Sequence, residues 1–286
     1  MPEPDPRRPD PRLAQLPAVQ HLVVRYAKRG KMRFASHRDV ARAFERGVRR
    51  AGLPIAYSAG FSPHPKISYA GGAPTGAASE AEYLSLALTA RQAETQVCQR
   101  LDAALPDGID VIEVTDPQGQ GGLKGDLGGW VPQDAGGSGG LLGSSSRANP
   151  ALHLEASEWR VVLPGVSPAA AEQAVASFLA LGEAPVERLT DKGVRCLDAR
   201  AAVVEMNVID ADEIAADPDG GEDVATTGHK DCAILQMVVL HTAPAVRPED
   251  VLTALRDGSG IAASSPPLTT RLAQGSRALL TGETGS

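Results

Sequence analysis

The sequence contains few cysteines, few aromatic residues and no long apolar run. Its 286 residues include 3 Cys, and only 3% of them are aromatic. The cysteines are far apart and form no Cys-x-x-Cys pair, which argues against a disulfide framework and against a cysteine-rich metal site. Because no stretch of 18 apolar residues occurs, we expect no membrane span. We predict a cytoplasmic protein. We also predict that it has no bound cofactor.

The motifs of common enzyme classes are also missing. The chain has no Gly-x-Gly-x-x-Gly after a strand and no phosphate-binding P-loop, and it lacks the His-Glu-x-x-His and Gly-x-Ser-x-Gly patterns. Dinucleotide-dependent, nucleotide-hydrolysing, zinc-protease and α/β-hydrolase chemistry are therefore not predicted. The question of catalysis is left open, and a non-catalytic role is favoured.

Positive charge is concentrated in one part of an acidic chain. The whole sequence has a net charge of −7, yet residues 21–70 carry eleven Lys or Arg against two acids, a net charge of +9 that leaves −16 for the remainder. A basic segment in an acidic protein is typical of a surface that binds a polyanion or an acidic partner protein. The alternative is that the segment packs against the protein's own acidic half.

Much of this charge lies on one predicted helix. Ser36 is a suitable N-cap, and Gly52 supplies a permissive residue at the C-terminal end. Between them, Val40, Phe44 and Val48 follow the 3.6-residue period of a helix with one buried face. The opposite face carries a stripe of arginines at spacings of three or four residues, namely Arg38, Arg42, Arg46 and Arg49 or Arg50.

The order of predicted elements indicates an α+β fold with two tandem ferredoxin-like (split βαβ) domains. Hydrophobic periodicity predicts β-α-β-β-β-α-β in each half, which is the split βαβ pattern with one extra hairpin strand. In the first half the two short hairpin strands are predicted at residues 53–57 and 66–70. Gly/Ser-rich sequence joins the halves. The predicted segments are a disordered tail at 1–18, a basic domain at 19–116, a flexible Gly-rich linker at 117–156, a second domain at 157–275 with an acidic insertion at 210–231, and a disordered tail at 276–286.

Two histidines in the basic domain are candidate catalytic residues. His37 lies in the first turn of the arginine helix, where the helix dipole favours neutral imidazole. His64 is held between two prolines, which fix its orientation. Either could act as a general acid or base, or could be an ordinary surface residue. A metal site formed with Asp39 or Glu82 is arithmetically possible, but the spacing fits no known ligand pattern, so we predict no metal.

Aromatic residues are interleaved with the basic ones. They are Tyr26, Phe34, Tyr57, Phe61 and Tyr69. This composition is typical of a surface that stacks unpaired bases while cations hold the phosphates. The alternative, which the small number of large side chains favours, is that Phe34 and Phe61 belong to the core.

Several blocks of the sequence resemble a known bacterial family. The blocks are residues 32–39 (MRFASHRD), 43–46 (AFER), 49–54 (RRAGLP), 57–66 (YSAGFSPHPK), 80–83 (EAEY) and 271–275 (RLAQG). They resemble the radical-SAM-linked family of bacterial proteins of unknown function, whose domain occurs alone or fused to a B12-binding radical-SAM protein. The resemblance implies a partner that is a radical-SAM enzyme or a ribonuclease of the E/G type, and it supplies no activity.

The residues that carry the resemblance coincide with the basic helix and the proline-flanked loop. They are Ser36, His37, Asp39, Arg46, Arg50, Gly60, Phe61, Pro63, His64, Pro65 and Lys66. The chain itself lacks the Cys-x-x-x-Cys-x-x-Cys motif, so it cannot supply the three thiolates of a radical-SAM cluster. We therefore expect an accessory module.

We predict that this module binds RNA through its basic face. The candidate nucleic-acid-binding residues are Arg33, Arg38, Arg42, Arg46, Arg49, Arg50, Phe61, His64 and Lys66. One alternative is a metal-independent RNA-processing enzyme that uses His37 and His64. The other is a protein adaptor whose basic face binds an acidic partner.

Overall fold

The structure is a computed structural model that describes residues 16–59, 62–117, 154–190, 193–210 and 232–282. The chain divides into two units, Met1–His153 and Leu154–Ser286. Several predicted features lie outside the described residues: the N-terminal tail up to residue 15, Gly60 and Phe61, the linker over 118–153, and the acidic insertion over 211–231.

The first unit is a four-stranded antiparallel sheet with two helices. Its elements are β1 (Gln20–Lys28), a 3₁₀ helix (Gly30–Phe34), α1 (His37–Arg50), β2 (Ile67–Ala70), β3 (Ala78–Leu88), α2 (Glu94–Asp102) and β4 (Ile109–Thr115). Strand β1 pairs with β3 and β4, and β3 also pairs with β2, which gives the order β4-β1-β3-β2. The unit therefore combines helices with an antiparallel sheet, as the predicted fold class requires.

The predicted extra strand at residues 53–57 is wrong. This segment makes only isolated bridges, in which Ile55 pairs with Leu88 and Tyr57 pairs with Pro65. Pro54 has no N–H group to donate, so a continuous ladder cannot run through the segment.

The core of the first unit forms where α1 packs on the sheet. Val40, Phe44 and Val48 are buried, and they join a cluster that includes Leu22 of β1 and Leu86 of β3. The Phe44 ring makes an edge-to-face contact with the Tyr26 ring at a centroid distance of 4.7 Å. At Gly47, a Cβ atom would lie 3.0 Å from the Leu105 side chain, so glycine at this position allows the close approach of the segment that follows α2.

Both ends of α1 are closed as the sequence predicts. At the start, Ser36 Oγ accepts a hydrogen bond from the Asp39 N–H at 3.2 Å. At the end, Gly52 has a φ of +60°, and the Leu53 N–H donates to the Val48 carbonyl at 3.1 Å. These contacts form the Schellman arrangement, in which a left-handed glycine ends the helix.

The second unit repeats the strand order of the first. Its elements are β5 (Ala156–Pro164), α3 (Pro168–Leu179), β6 (Pro185–Thr190), β7 (Gly193–Asp198), α4 (Ala199–Ala202), β8 (Val203–Ile209), β9 (Cys232–Leu240), α5 (Pro248–Ser259), β10 (Leu268–Gly275) and α6 (Arg277–Thr281). Antiparallel pairing gives the order β10-β5-β9-β8, while β6 and β7 form a separate hairpin. If that hairpin is left out of the count, both sheets have the same order: the last strand lies beside the first, the first beside the third, and the third beside the second.

Two elements of the second unit differ from the sequence prediction. Strand β7 was not predicted, because most of its residues are exposed and it has no alternating apolar pattern. Residues 276–286 were predicted as a disordered tail, but Arg277–Thr281 form α6, a helix with no buried residue. Its five residues are too few to show a helical period in the sequence. In the ranges that the structure describes, no helix is long and apolar enough to cross a membrane.

The packing of α1 predicts unequal effects for two phenylalanine substitutions. Phe44 is 0% exposed and Phe34 is 68% exposed. We expect Phe44→Ala to lower the free energy of unfolding by about 3–5 kcal/mol, because it leaves a cavity under α1. Phe34→Ala, the matched control, should change this free energy by less than about 0.5 kcal/mol. Denaturant unfolding of both variants measures the difference, and equal losses would contradict the assignment of Phe44 to the core.

Candidate nucleic-acid interface

The solvent face of α1 carries exposed arginines. Arg38, Arg42, Arg46, Arg49 and Arg50 are all exposed. Arg42 makes a loose ion pair with Asp39 at 3.8 Å, in which both side chains are more than half exposed. Within the described ranges, the guanidinium groups of Arg38, Arg46 and Arg49 make no hydrogen bond and no ion pair. Three guanidinium groups are therefore available to an anionic ligand.

Arg50 has a structural role in addition to its exposure. Its Nη1 donates to the Ala104 carbonyl, just after α2, at 3.1 Å. In return, Arg100 of α2 donates to the carbonyls of Ala51 and Gly52, just after α1. The two helices therefore satisfy each other's C-terminal carbonyl groups with cations, which the helix dipole favours.

Arg33 was predicted to lie on the surface, but it is buried, with only 7% of the residue exposed. The Arg33 Nε donates to the Gly76 carbonyl at 2.8 Å, and the Gly76 N–H donates to the Arg33 carbonyl at 2.7 Å. The side chain therefore fixes the turn between β2 and β3, and its guanidinium is not presented to a ligand in the way that those of α1 are.

Two further buried charges hold the same turn. Lys28 Nζ donates to the carbonyls of Ala73 and Pro74, each at 3.3 Å. Both carboxylate oxygens of Glu82 accept from the Ala73 N–H, at 3.2 and 3.1 Å. Glu82 itself is buried. Buried charges bonded to one turn make that turn a rigid part of the unit.

The two candidate catalytic histidines are exposed and make separate contacts. The His37 ring packs edge-to-face against Tyr69 at 5.2 Å. The backbone N–H of His64 donates to Ser58 Oγ at 3.0 Å, and the backbone N–H of Ser58 donates to the His64 carbonyl at 2.9 Å. Across the described residues, no hydrogen bond or ring contact joins the two histidines, and no group of three His, Cys, Asp or Glu could hold a metal ion. Lys66, near His64, is also exposed.

Tyr69 fixes the position of His37 on the helix. Its hydroxyl donates to the Ala41 carbonyl of α1 at 3.4 Å, and its ring lies 6.3 Å from that of Phe44. Burial raises the pKa of Tyr69 above its ordinary value, and the charge of Glu45 raises it further. The hydroxyl is therefore protonated at neutral pH and acts as a hydrogen-bond donor.

Phe34 presents its ring to solvent. Its side chain belongs to the 3₁₀ helix just before α1 and is 68% exposed, so its interpretation as a core residue is wrong. Met32 and Ala35 pack against the core instead. Residues three apart share a face of a 3₁₀ helix, which directs this pair inward and Phe34 outward. The Arg33 guanidinium carbon lies 5.8 Å from the centroid of the Phe34 ring.

Residues 21–125 and 143–248 match the family described as "Uncharacterized protein conserved in bacteria (DUF2344)". The chain belongs to this DUF2344 family. The match confirms the expected membership of a bacterial family of unknown function, and the family description names no activity, substrate or partner. No curated protein is similar enough to the chain to count as a match.

The second DUF2344 segment contains a serine–histidine contact that sequence analysis missed. Ser157 Oγ lies 2.6 Å from His241 Nε2, and His241 Nδ1 lies 2.7 Å from the Leu154 carbonyl. A carbonyl only accepts, so Nδ1 carries the proton and Nε2 of the neutral ring accepts from the serine hydroxyl. Because Ser157 is 1% exposed, its hydroxyl is closed to a substrate, and the contact ties the end of β9 to the start of β5.

This contact predicts a pH dependence of stability. Loss of hydration lowers the pKa of His241 below its ordinary value, and the charge of Arg271 lowers it further, whereas the Leu154 carbonyl raises it. The unfolded chain therefore binds the proton more tightly, so the free energy of unfolding should decrease as the pH falls below about 6.5. We expect a smaller decrease in His241→Gln, measured by denaturant unfolding between about pH 8 and about pH 5. Identical pH profiles for the two proteins would contradict this assignment.

Proposed function

We propose that this DUF2344 protein is an accessory, non-catalytic module that binds RNA through the exposed arginines of α1. One observation carries the proposal: Arg38, Arg46 and Arg49 project from the solvent face of a helix whose other face is buried, with no hydrogen bond or ion pair to the residues that the structure describes. Phosphate and carboxylate groups are the ligands of such guanidinium groups, which bind them with two parallel hydrogen bonds.

The shape of the arginine row favours a linear polyanion. At a rise of 1.5 Å per residue, the guanidinium groups from Arg38 to Arg49 extend over roughly 16 Å along the helix axis. A nucleic-acid backbone presents phosphates in such a row, and the exposed Phe34 ring at the N-terminal end of the row adds a surface for a base. An acidic protein partner would bury the same ring against its own apolar side chains, and it is the competing outcome in the test below.

We also propose that each unit is a ferredoxin-like domain. The supporting observation is the shared antiparallel order β4-β1-β3-β2 and β10-β5-β9-β8, with a helix between the first and second strands and another between the third and fourth. In this arrangement the hairpin β6–β7 is an insertion between α3 and β8. The second unit has no counterpart of the arginine row, since α3 contains no basic residue.

The proposed partner is a radical-SAM enzyme or RNA-processing machinery such as a ribonuclease of the E/G type. The proposal rests on the blocks that resemble the radical-SAM-linked family, which include the start of α1 and the segment up to Lys66. The iron–sulfur cluster of such an enzyme would belong to the partner, because this chain carries only three widely separated cysteines.

Removal of the free arginines should abolish most RNA binding. In the variant Arg38→Ala, Arg46→Ala, Arg49→Ala, we expect affinity for a short labelled oligoribonucleotide to fall on the order of 100-fold at low salt, from roughly 1 kcal/mol per lost phosphate contact. Fluorescence anisotropy of the full chain measures the affinity. The thermal unfolding midpoint should not fall, because the three side chains are exposed.

A control with the same change in net charge separates a local surface from a general charge effect. The control variant is Arg91→Ala, Arg195→Ala, Arg256→Ala, which also removes three exposed arginines. It should bind RNA as the unchanged protein does. Equal losses in both variants, or full binding by the α1 variant, would overturn the proposed function. Cleavage of the RNA that disappears in His37→Ala and His64→Ala would replace it with the enzymatic alternative.

The protein adaptor is tested by purification from cells with and without ribonuclease. RNA that co-purifies and is lost at raised salt supports the module. An acidic protein partner that remains bound after ribonuclease treatment, and that is lost in the α1 variant, would show instead that the arginine row binds protein.

A further inference from the structure

We propose that the RNA ligand is single-stranded where it meets the start of α1, and that one of its unpaired bases stacks on Phe34. This inference rests on the proposed function, since it assumes that the arginines of α1 bind the phosphates of the same strand. Beyond the proposed function, the inference names the class of ligand, an unpaired RNA segment, and the residue that selects this ligand, Phe34.

The exposure of Phe34 is the first support. Among the described residues, the exposed large apolar side chains are Leu16, Val19, Phe34, Ile112, Leu181, Leu189, Val194 and Leu279, of which Phe34 alone is aromatic. In a chain with only four phenylalanines, one ring is thus left in water three residues before the start of α1, while the Phe44 ring fills the core. Stacking on a flat partner removes an exposed ring from water, and every nucleobase has a flat face for such stacking.

The backbone that carries Phe34 is held in place from several sides. The Arg29 N–H donates to the Gly108 carbonyl at 2.8 Å at the start of the 3₁₀ helix, and the Arg29 guanidinium pairs with Glu80 and Asp110. Buried Arg33, the residue immediately before Phe34, is bonded to the turn between β2 and β3. A ring on such a fixed support loses little conformational entropy when a base stacks on it.

The ring is close in sequence to the start of the phosphate-binding row. Only Ala35 and Ser36 separate Phe34 from the first residue of α1, and consecutive Cα atoms are about 3.8 Å apart, so Phe34 adjoins the first turn, which contains Arg38. A base in a duplex is stacked inside the helix and cannot reach this ring, whereas an unpaired base can be turned out onto it.

The experiment compares one labelled oligoribonucleotide in two forms, single-stranded and annealed to its complement. Fluorescence anisotropy with the full chain measures the affinity for each form. We expect Phe34→Ala to weaken binding of the single strand roughly tenfold, the loss of one base–aromatic stack, and to leave duplex binding unchanged. Phe34→Trp should restore single-strand binding. The salt dependence should be the same for all three proteins, because no phosphate contact is altered.

The control variant is Ile112→Ala, which removes another exposed apolar side chain of the first unit and should bind both forms as the unchanged protein does. Thermal unfolding of Phe34→Ala should match the unchanged protein, so that a binding loss cannot come from unfolding. If the α1 arginine variant loses binding but Phe34→Ala binds the single strand normally, or weakens both forms equally, the stacking inference is overturned and the proposed function stands. If the arginine variant binds normally, the proposed function itself fails.

Discussion

The burial of one face of α1 against the sheet is the interaction on which the arrangement of the first unit depends. Burying a side chain such as Val or Phe stabilises the folded chain by about 1.5–3 kcal/mol, and Val40, Phe44 and Val48 all contribute from α1. Repulsion between like charges one helical turn apart costs only about 0.2–0.5 kcal/mol per pair. Core packing therefore outweighs the repulsion among the arginines and fixes their direction toward solvent.

The same unit separates its cations into two groups by their surroundings. Lys28 and Arg33 are buried and bonded to backbone carbonyls of the turn between β2 and β3, and Arg50 is bonded to the carbonyl of Ala104. A buried cation must be bonded in this way, because an unpaired buried charge would be strongly destabilising. The charge that is available to a ligand lies mainly on α1, with exposed Lys31 and Lys66 outside it, and is smaller than the composition of residues 21–70 suggests.

Much of the fold could be predicted from the sequence because its signals are local. The signals for α1 all depend on neighbours within a few residues. The period of Val40, Phe44 and Val48 predicts its buried face, and Ser36 and Gly52 predict its two ends. The hairpin strand β7 could not be predicted, since Gly193–Asp198 is mostly exposed and leaves no alternating pattern of apolar residues.

The candidate site was only partly predictable for the same reason. The exposure of Arg38, Arg46 and Arg49 follows from the helical period, but the burial of Arg33 and the exposure of Phe34 depend on which face of the 3₁₀ helix meets the core. That choice is made by Met32 and Ala35 together with the turn at Gly76, which is 43 residues from Arg33 in sequence. Such a long-range contact leaves no periodic pattern in a single sequence.

The salt dependence of RNA binding tests the central claim most directly. The quantity is the slope of the logarithm of the association constant against the logarithm of salt concentration, for a single-stranded oligoribonucleotide. Each phosphate contact contributes about 0.7 to this slope. The account predicts that the variant without Arg38, Arg46 and Arg49 has a slope shallower by about 2 than the unchanged protein. Equal slopes for the two proteins would contradict it, because the arginines of α1 would then hold no phosphates.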